Sequence, residues 1–452
     1  MSALNIEVQP QLNCETVCSP EQQLGCSKFV GQTALQLSLE NHNVQTGSEV
    51  LDEFEARPYQ IEAWEALRAS RQAGDSSGLV HLATGLGKTT VGVIDALRFI
   101  EEFNEGRDPE DFAMPKILFA VHQKEILDQA AERFKAFAPL IAQGQYADGQ
   151  KNKSQPITFA TMQSLHQNLE SFNPEEFDYI IYDEAHHAQA ETFNQVVEHF
   201  TPTYQLALTA TPDRMDGLDI RKLFGNEIYK KDLAQALTEG WLADVDYHIR
   251  FDVAVKEAME GGFEGSTLKE LEGLLKNESR NSIIAEHIRD QIIELGLQNA
   301  KTILFCQTID HAEDMASLLG GKAYHSEVGK EDRKKILKNF RSGGVNLITT
   351  RDMFNEGVDI PDARLVVFLR STGSKTIFEQ QLGRGLRKAK GKDTVTVLDF
   401  VANIERLEHL RDLTSDVREQ EGATVQTEQA EINKTDYGSS EGDDSFKLHS
   451  VN

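Results

Sequence analysis

The stretch His81–Thr90, HLATGLGKTT, decides how the whole chain is read. A short apolar run, Gly78-Leu79-Val80, precedes it. An amphipathic segment carrying Val91, Val93, Ile94, Leu97 and Ile100 follows. That order predicts a strand, a glycine-rich turn and a helix. Such a turn aims several backbone N–H groups at one point on the positive end of a helix dipole, which suits a polyphosphate. From Thr84 through Gly85, Leu86 and Gly87 to Thr90, the two glycines let the backbone come close. Lys88 supplies a point charge for the β- and γ-phosphates, and Thr89 a hydroxyl for a divalent metal. The strict spacing asks for glycine at 82, where this chain has Leu82, so the loop is a variant. The expected ligand is ATP or a close relative, with Mg²⁺.

A second stretch answers the first. Tyr179-Ile180-Ile181-Tyr182 leads into Asp183-Glu184-Ala185-His186-His187. An apolar strand ending in acids, downstream of such a loop, places Asp183 to hold Mg²⁺ through water opposite Thr89. Glu184 is then placed to polarise the attacking water as general base. Adjacent histidines on one turn diverge, so His186 and His187 are not expected to ligate a metal. Upstream, Pro58 suits a helix start, and Ile61, Trp64 and Leu67 recur at helical spacing. Arg57 and Gln60 lie beside that first turn, and the Gln60 amide matches the donor and acceptor of an adenine edge. Downstream, Thr209-Ala210-Thr211-Pro212 closes another strand. Its two hydroxyls are placed to bond the acidic motif or His186, coupling nucleotide state to the far face of the domain.

Composition sets the bounds. The chain has 452 residues, 39% hydrophobic and 26% charged, as expected of a globular chain with room for two or three domains. No apolar run reaches the roughly 18–20 residues that span a bilayer, and the start lacks a signal-peptide pattern. Four cysteines make no disulfide scaffold, so a cytoplasmic setting is expected. The net charge of −27 argues against indiscriminate adhesion to nucleic acid but leaves room for a local groove.

Residues 1–50 are polar, without a sustained period, and read as a disordered tail. Cys14, Cys18 and Cys26 lie there, but their spacing is not that of a compact zinc knuckle. Residues 51–225 form a first α/β domain. Ile117–Val121 reads as a buried strand with His122 and Gln123 at its carboxyl end, where open α/β sheets place ligands. His122, Lys124 and Asp128 imitate a phosphodiesterase motif but fall one residue short. Pro156–Ala160 is a further strand, and Thr161 after it suits either a backbone phosphate or a helix cap. Residues 226–300 read as linker and helical connection. Residues 301–412 form a second α/β unit, with strands at Thr302–Cys306, Val345–Thr349 and Leu365–Leu369. Arg384 and Arg387, three apart, fall on one helical face, where a guanidinium fork can clamp a γ-phosphate across a cleft. Residues 413–452 read as an acidic disordered tail.

Together these blocks resemble the core of a superfamily 2 helicase, in order from Arg57 to Arg387. RPYQ resembles the Q-motif, ATGLGKT motif I, VHQKE motif Ia, ATMQS motif Ib, DEAH motif II and TATP motif III. ILFCQT resembles motif IV, TTRDMFNEGVDIP motif V and QQLGRGLR motif VI. DEAHH, TATPDRMDG and NEGVDIP are similar to the bacterial DEAH type, the XPB-like group and the motors of type I and type III restriction subunits. The resemblance implies two tandem RecA-like domains, each a parallel sheet flanked by helices, with ATP in the cleft and nucleic acid across the top. It implies adenine reading by Gln60, ribose-side contacts from Gly357 and Asp359, and water placement by Gln380. It makes Arg384 and Arg387 fingers, and sets Gln123, Thr161 and Thr350 against strand phosphates.

About 20 residues separate motif V from motif VI, too few for the strand-separating hairpin of some relatives. No nuclease constellation and no added winged-helix module is recognised. The expected activity is ATP-dependent DNA translocation or unwinding, by a monomer without membrane contact, with the tails available to a protein partner. The alternatives are an RNA helicase and the motor subunit of a restriction or repair complex.

Overall fold

The structure, a computed structural model, describes residues 56–184, 190–211, 220–249, 278–351, 353, 362–370, 374–400, 404–420 and 444–448. Two sheets organise them. The first sheet comprises β1 (Ser77–Leu82), β2 (Ile117–Val121), β3 (Gln143–Ala147), β4 (Gln150–Lys151), β5 (Ile157–Thr161), β6 (Tyr179–Asp183), β7 (Tyr204–Thr209) and β8 (Glu227–Lys231). Their spatial order is β4-β3-β5-β2-β6-β7-β1-β8, parallel throughout except β4 against β3. Around it lie α1 (Pro58–Ala73), α2 (Lys88–Phe103), α3 (Lys124–Phe137), α4 (Met162–Gln167), α5 (Ala190–His199) and α6 (Arg221–Phe224).

The central strands are apolar on both faces, as a parallel sheet covered on both sides requires. The pleat sorts their side chains. Ile117, Phe119, Tyr179 and Ile181 enter one core with α1, α2 and α3. Leu118, Ala120, Ile180 and Tyr182 enter the other with Phe193 and Phe200.

After β8 the chain passes through α7 (Leu233–Thr238) into the second sheet. That sheet comprises β9 (Asp244–Ile249), β10 (Lys301–Cys306), β11 (Lys322–Tyr324), β12 (Leu347–Thr350), β13 (Ala363–Leu369), β14 (Thr394–Asp399) and β15 (Asp444–Leu448). The order is β11-β12-β10-β13-β14-β9-β15, with only β15 antiparallel. Its helices are α8 (Glu278–Glu294), α9 (Ile309–Leu319), α10 (Lys330–Arg341), α11 (Lys375–Gly385) and α12 (Ile404–Gln420). Two tandem parallel-sheet α/β domains are thus observed.

The stretch 226–300 differs from a plain linker. It gives β8 to the first sheet and β9 to the second. Glu227–Lys231, EIYKK, is a half-exposed edge strand with no apolar run to betray it. The stretch 413–452 also carries order: α12 runs to Gln420, and β15 pairs with β9. Residues 1–50 lie outside the described residues. Among the described residues no helix is long and apolar enough to cross a membrane.

Candidate nucleotide site and its relatives

The carboxyl ends of β1, β2, β5, β6 and β7 face one edge of the first sheet, where ligands sit in open α/β folds. β1 ends at Leu82, and the turn after it uses φ of +97° at Gly85 and +84° at Gly87. Gly87 is the N-cap of α2 and contributes no side-chain cap, so the first N–H groups of α2 are not consumed by one. Lys88 and Thr89 open that helix. Lys88 Nζ lies 3.4 Å from Glu184 Oε1, and Thr89 Oγ1 donates to Asp183 Oδ2 at 2.7 Å.

Glu184 sits just past β6 at φ +53°, a left-handed conformation rare for a residue with a side chain. Its N–H donates to Asp183 Oδ1 at 3.0 Å. The turn folds the second carboxylate back toward Lys88 while the first faces Thr89. Burial, then the Glu184 charge beside it, push the Asp183 carboxyl up to about 6; Thr89 and Lys88 work the other way. A hydroxyl and a buried carboxylate whose charge is under-compensated form a hard-oxygen set that fits Mg²⁺.

A pocket of about 370 Å³ opens over this turn. Arg57, Gln60, all residues from Thr84 to Thr90, and Glu184 line it from the first domain. Arg384 and Arg387 line it from the second. Gln60 Nε2 reaches the Leu86 carbonyl at 3.4 Å, so its amide touches the loop itself.

Arg387 does not share a helical face with Arg384. α11 ends at Gly385, Leu386 is its C-cap, and Arg387 makes an antiparallel bridge with Leu242. Both residues still line the pocket, although the chain turns there instead of continuing. Gln380 is buried in α11 at 2% exposure and does not line the pocket.

Other expected residues fall elsewhere. Thr161 spends its hydroxyl capping α4, accepting from Ser164 N and donating to Ser164 Oγ. Of its two readings the cap is the observed one. Thr350 is wholly buried at the end of β12. Gln123 is the half-buried N-cap of α3. Thr209 Oγ1 donates to the Thr211 carbonyl at 2.7 Å and accepts from Thr211 N, within its own turn. His186, Gly357 and Asp359 lie outside the described residues, as do Cys14, Cys18 and Cys26. Lys124 and Asp128 form an ordinary ion pair one helical turn apart at 2.8 Å.

Three residues were not foreseen. Gln129 and Arg133 on α3 line the pocket, and Arg133 donates to Thr90 Oγ1. His81 Nε2 bonds the Ala210 carbonyl at 2.8 Å, tying β1 to the turn after β7. Burial pushes its imidazole down to about 4, so it is neutral at pH 7.

The type III restriction enzyme res-subunit family matches residues 53–214, and the helicase conserved C-terminal domain matches 266–389. A DNA 3′-5′ translocase, XPB2 of Sulfurisphaera tokodaii, is 26% identical over 77% of this chain and 82% of its own length. A solved fragment of an HsdR-type subunit of a type I restriction enzyme, from Vibrio vulnificus YJ016, is 26% identical with a TM-score of 0.61. It is matched over 80% of this chain and 68% of that one. The two matches follow one another in the order of a superfamily 2 helicase core, which this chain resembles. Within it, the similarity runs to the XPB-like and restriction-motor group. A Saccharomyces cerevisiae protein named as an ATP-dependent helicase, IRC3, is 25% identical over 76% of this chain and 51% of its own. The chain spans about half to three fifths of the length of the first curated relatives it matches.

Proposed function

We propose that the chain is an ATP-dependent DNA translocase or helicase that hydrolyses ATP in the cleft between its two domains. The observation that carries this is convergence. The turn Thr84–Thr90, Glu184, Arg384 and Arg387 line one pocket from two separate sheets, and Asp183 joins it through Thr89. A single-domain nucleotide binder has no use for the last pair.

In this reading Thr84–Thr90 hold the phosphates, Arg57 and Gln60 the base, and Thr89 and Asp183 the metal. Bound Mg²⁺ supplies charge neutralisation at the β- and γ-phosphates. Glu184 takes a proton from the attacking water, and Arg384 and Arg387 stabilise charge developing on the γ-phosphate. Gln380 acts on the water only after α11 moves. Loss of that charge on hydrolysis loosens the joint between the domains, and alternate opening and closing moves the chain along a strand. Gln123 is the surface candidate for a strand phosphate.

DNA is favoured over RNA because the relatives named above are a DNA translocase and a restriction subunit. A second reading, the motor subunit of a larger assembly, draws on the similarity to a subunit of a type I restriction enzyme.

The test is ATPase rate at low salt with no nucleic acid, single-stranded DNA, branched DNA and single-stranded RNA. DNA stimulation that falls steeply with added salt is expected. Stimulation by RNA alone would overturn the DNA assignment. A low rate unmoved by all of them would favour the subunit reading.

A further inference from the structure

The chain crosses between the domains at the most sensitive point of the cleft. α7 ends at Thr238 with Glu239 as its C-cap, and Gly240 at φ +68° turns the chain back, so that Trp241 N and Leu242 N both donate to the Ala236 carbonyl. Three neighbours then meet the next three residues.

The Trp241 ring packs edge-on against Tyr59, with centroids 5.2 Å apart and planes at 71°. Tyr59 in turn donates its hydroxyl to the Leu86 carbonyl of the phosphate loop at 2.9 Å. Leu242, fully buried, presses its side chain on the same loop. A Cβ added at Gly85 would lie 3.1 Å from Leu242 Cδ2, 3.2 Å from the Gly383 carbonyl and 3.4 Å from Arg387 Cγ. The backbone of the same residues grips the other side. Leu242 bridges Arg387, and Ala243 N donates to the Leu386 carbonyl at 2.8 Å. α7 is itself fixed: a reciprocal Asp232–Gln235 cap starts it, and α12 packs on it from the second domain.

We propose that Trp241-Leu242-Ala243 is a clamp that holds the finger Arg387 in register with the phosphate loop, so that closure of the loop around nucleotide positions the guanidinium. The side chains of Trp241 and Leu242 touch the loop and its tyrosine brace. The backbone of Leu242 and Ala243 carries the finger. Movement of either partner is therefore passed to the other through three residues of one strand-like segment. These are positioning residues; none of them lines the pocket. Geometry of this kind acts on turnover more than on affinity, because the finger matters when charge develops on the transferring group.

The proposal rests on the ATPase reading above, and two measurements separate their failures. The first is steady-state ATPase of Leu242→Ala. A small misplacement of a catalytic group costs on the order of tenfold to hundredfold in kcat, so a loss in that range is expected, with KM for ATP changed less than about twofold. Leu242→Met restores most of the rate, since it refills the space with a flexible apolar chain. An unchanged kcat in Leu242→Ala would overturn the clamp, as would a loss that Leu242→Met fails to rescue in a folded protein.

The second measurement needs no hydrolysis. The chain has two tryptophans, and Trp64 is buried with its indole N–H on the Val91 carbonyl, so half-buried Trp241 carries the environmentally sensitive emission. In Glu184→Gln, Mg-ATP is expected to shift tryptophan emission, and Trp241→Phe to abolish that shift. ATP binding without a Trp241-dependent shift would overturn the clamp. If the wild-type chain hydrolyses no ATP, the function reading fails and the emission arm alone decides the clamp.

Discussion

The two domains hold the nucleotide site by different means. In the first, buried charge ties the base-side helix to the phosphate-side helix. Arg71 of α1 pairs with Asp95 of α2 at 2.9 Å and with Glu102 at 2.8 Å, and Tyr179 donates to Asp95 from beneath. Burial works against the Arg71 charge, but Asp95 and Glu102 more than offset it and raise its pKa. In the second domain, the finger-bearing helix rests on rings. Phe305 stacks on Phe368 at 5.4 Å, and Phe378 of α11 packs on Phe368. Apolar packing is not directional, whereas a bidentate ion pair is. The first domain is therefore built as a fixed cradle for the nucleotide. The second presents an arm whose aim depends on what braces its end, and that brace is Leu242.

The sharpest way to break this comparison is Arg387→Ala. Removing a finger is expected to lower kcat by on the order of 10³-fold or more, while ATP binding, measured by titration, stays near wild type. Equal loss of binding would mean that the second domain belongs to the cradle. Next in size is Arg71→Met. It leaves Asp95 buried without its counter-charge, and the expected cost is about 3–5 kcal/mol in the first domain. Calorimetry would register a transition moved down while the part due to the second domain stays. A uniform shift of both would mean that the two are not built separately.

The smallest effect is that of pH. Asp183 has its folded pKa raised from 3.8 to about 6. The folded apoprotein thus holds this proton more tightly than the unfolded chain does. Stability from this group is present at low pH and declines as pH rises from about 4 to about 6. Metal binding runs the other way, because it needs the carboxylate. At limiting Mg²⁺, turnover is expected to fall on the acid side, with its limb at about pH 6. A rate flat down to pH 5 would remove Asp183 from the metal site.

Much of the cradle is legible in the residues, because strand, turn and helix are contiguous there. His81–Thr90 and Tyr179–Glu184 each carry their own local geometry, and the fold class follows from the apolar runs between them. What is hidden depends on distance along the chain. Arg384 and Arg387 have helical spacing, but the helix ends at Gly385 between them. β8 and β9 are hidden because EIYKK is an edge strand and β9 pairs with β14, some 150 positions later. Arg133 and Gln129 belong to no motif, and only the fold brings α3 against Thr90. Thr161 had two possible uses, and the hydroxyl found Ser164 first. Leu242 carries no motif; its role arises from contacts on three sides.

The central claim is that the cleft is a hydrolytic site worked by both domains. The most direct test is ATP turnover of Glu184→Gln beside wild type, with saturating single-stranded DNA and a parallel ATP-binding titration. The account predicts DNA-stimulated turnover in wild type, lowered by about 10²–10⁴ in the variant with binding retained. Full turnover by Glu184→Gln would contradict it.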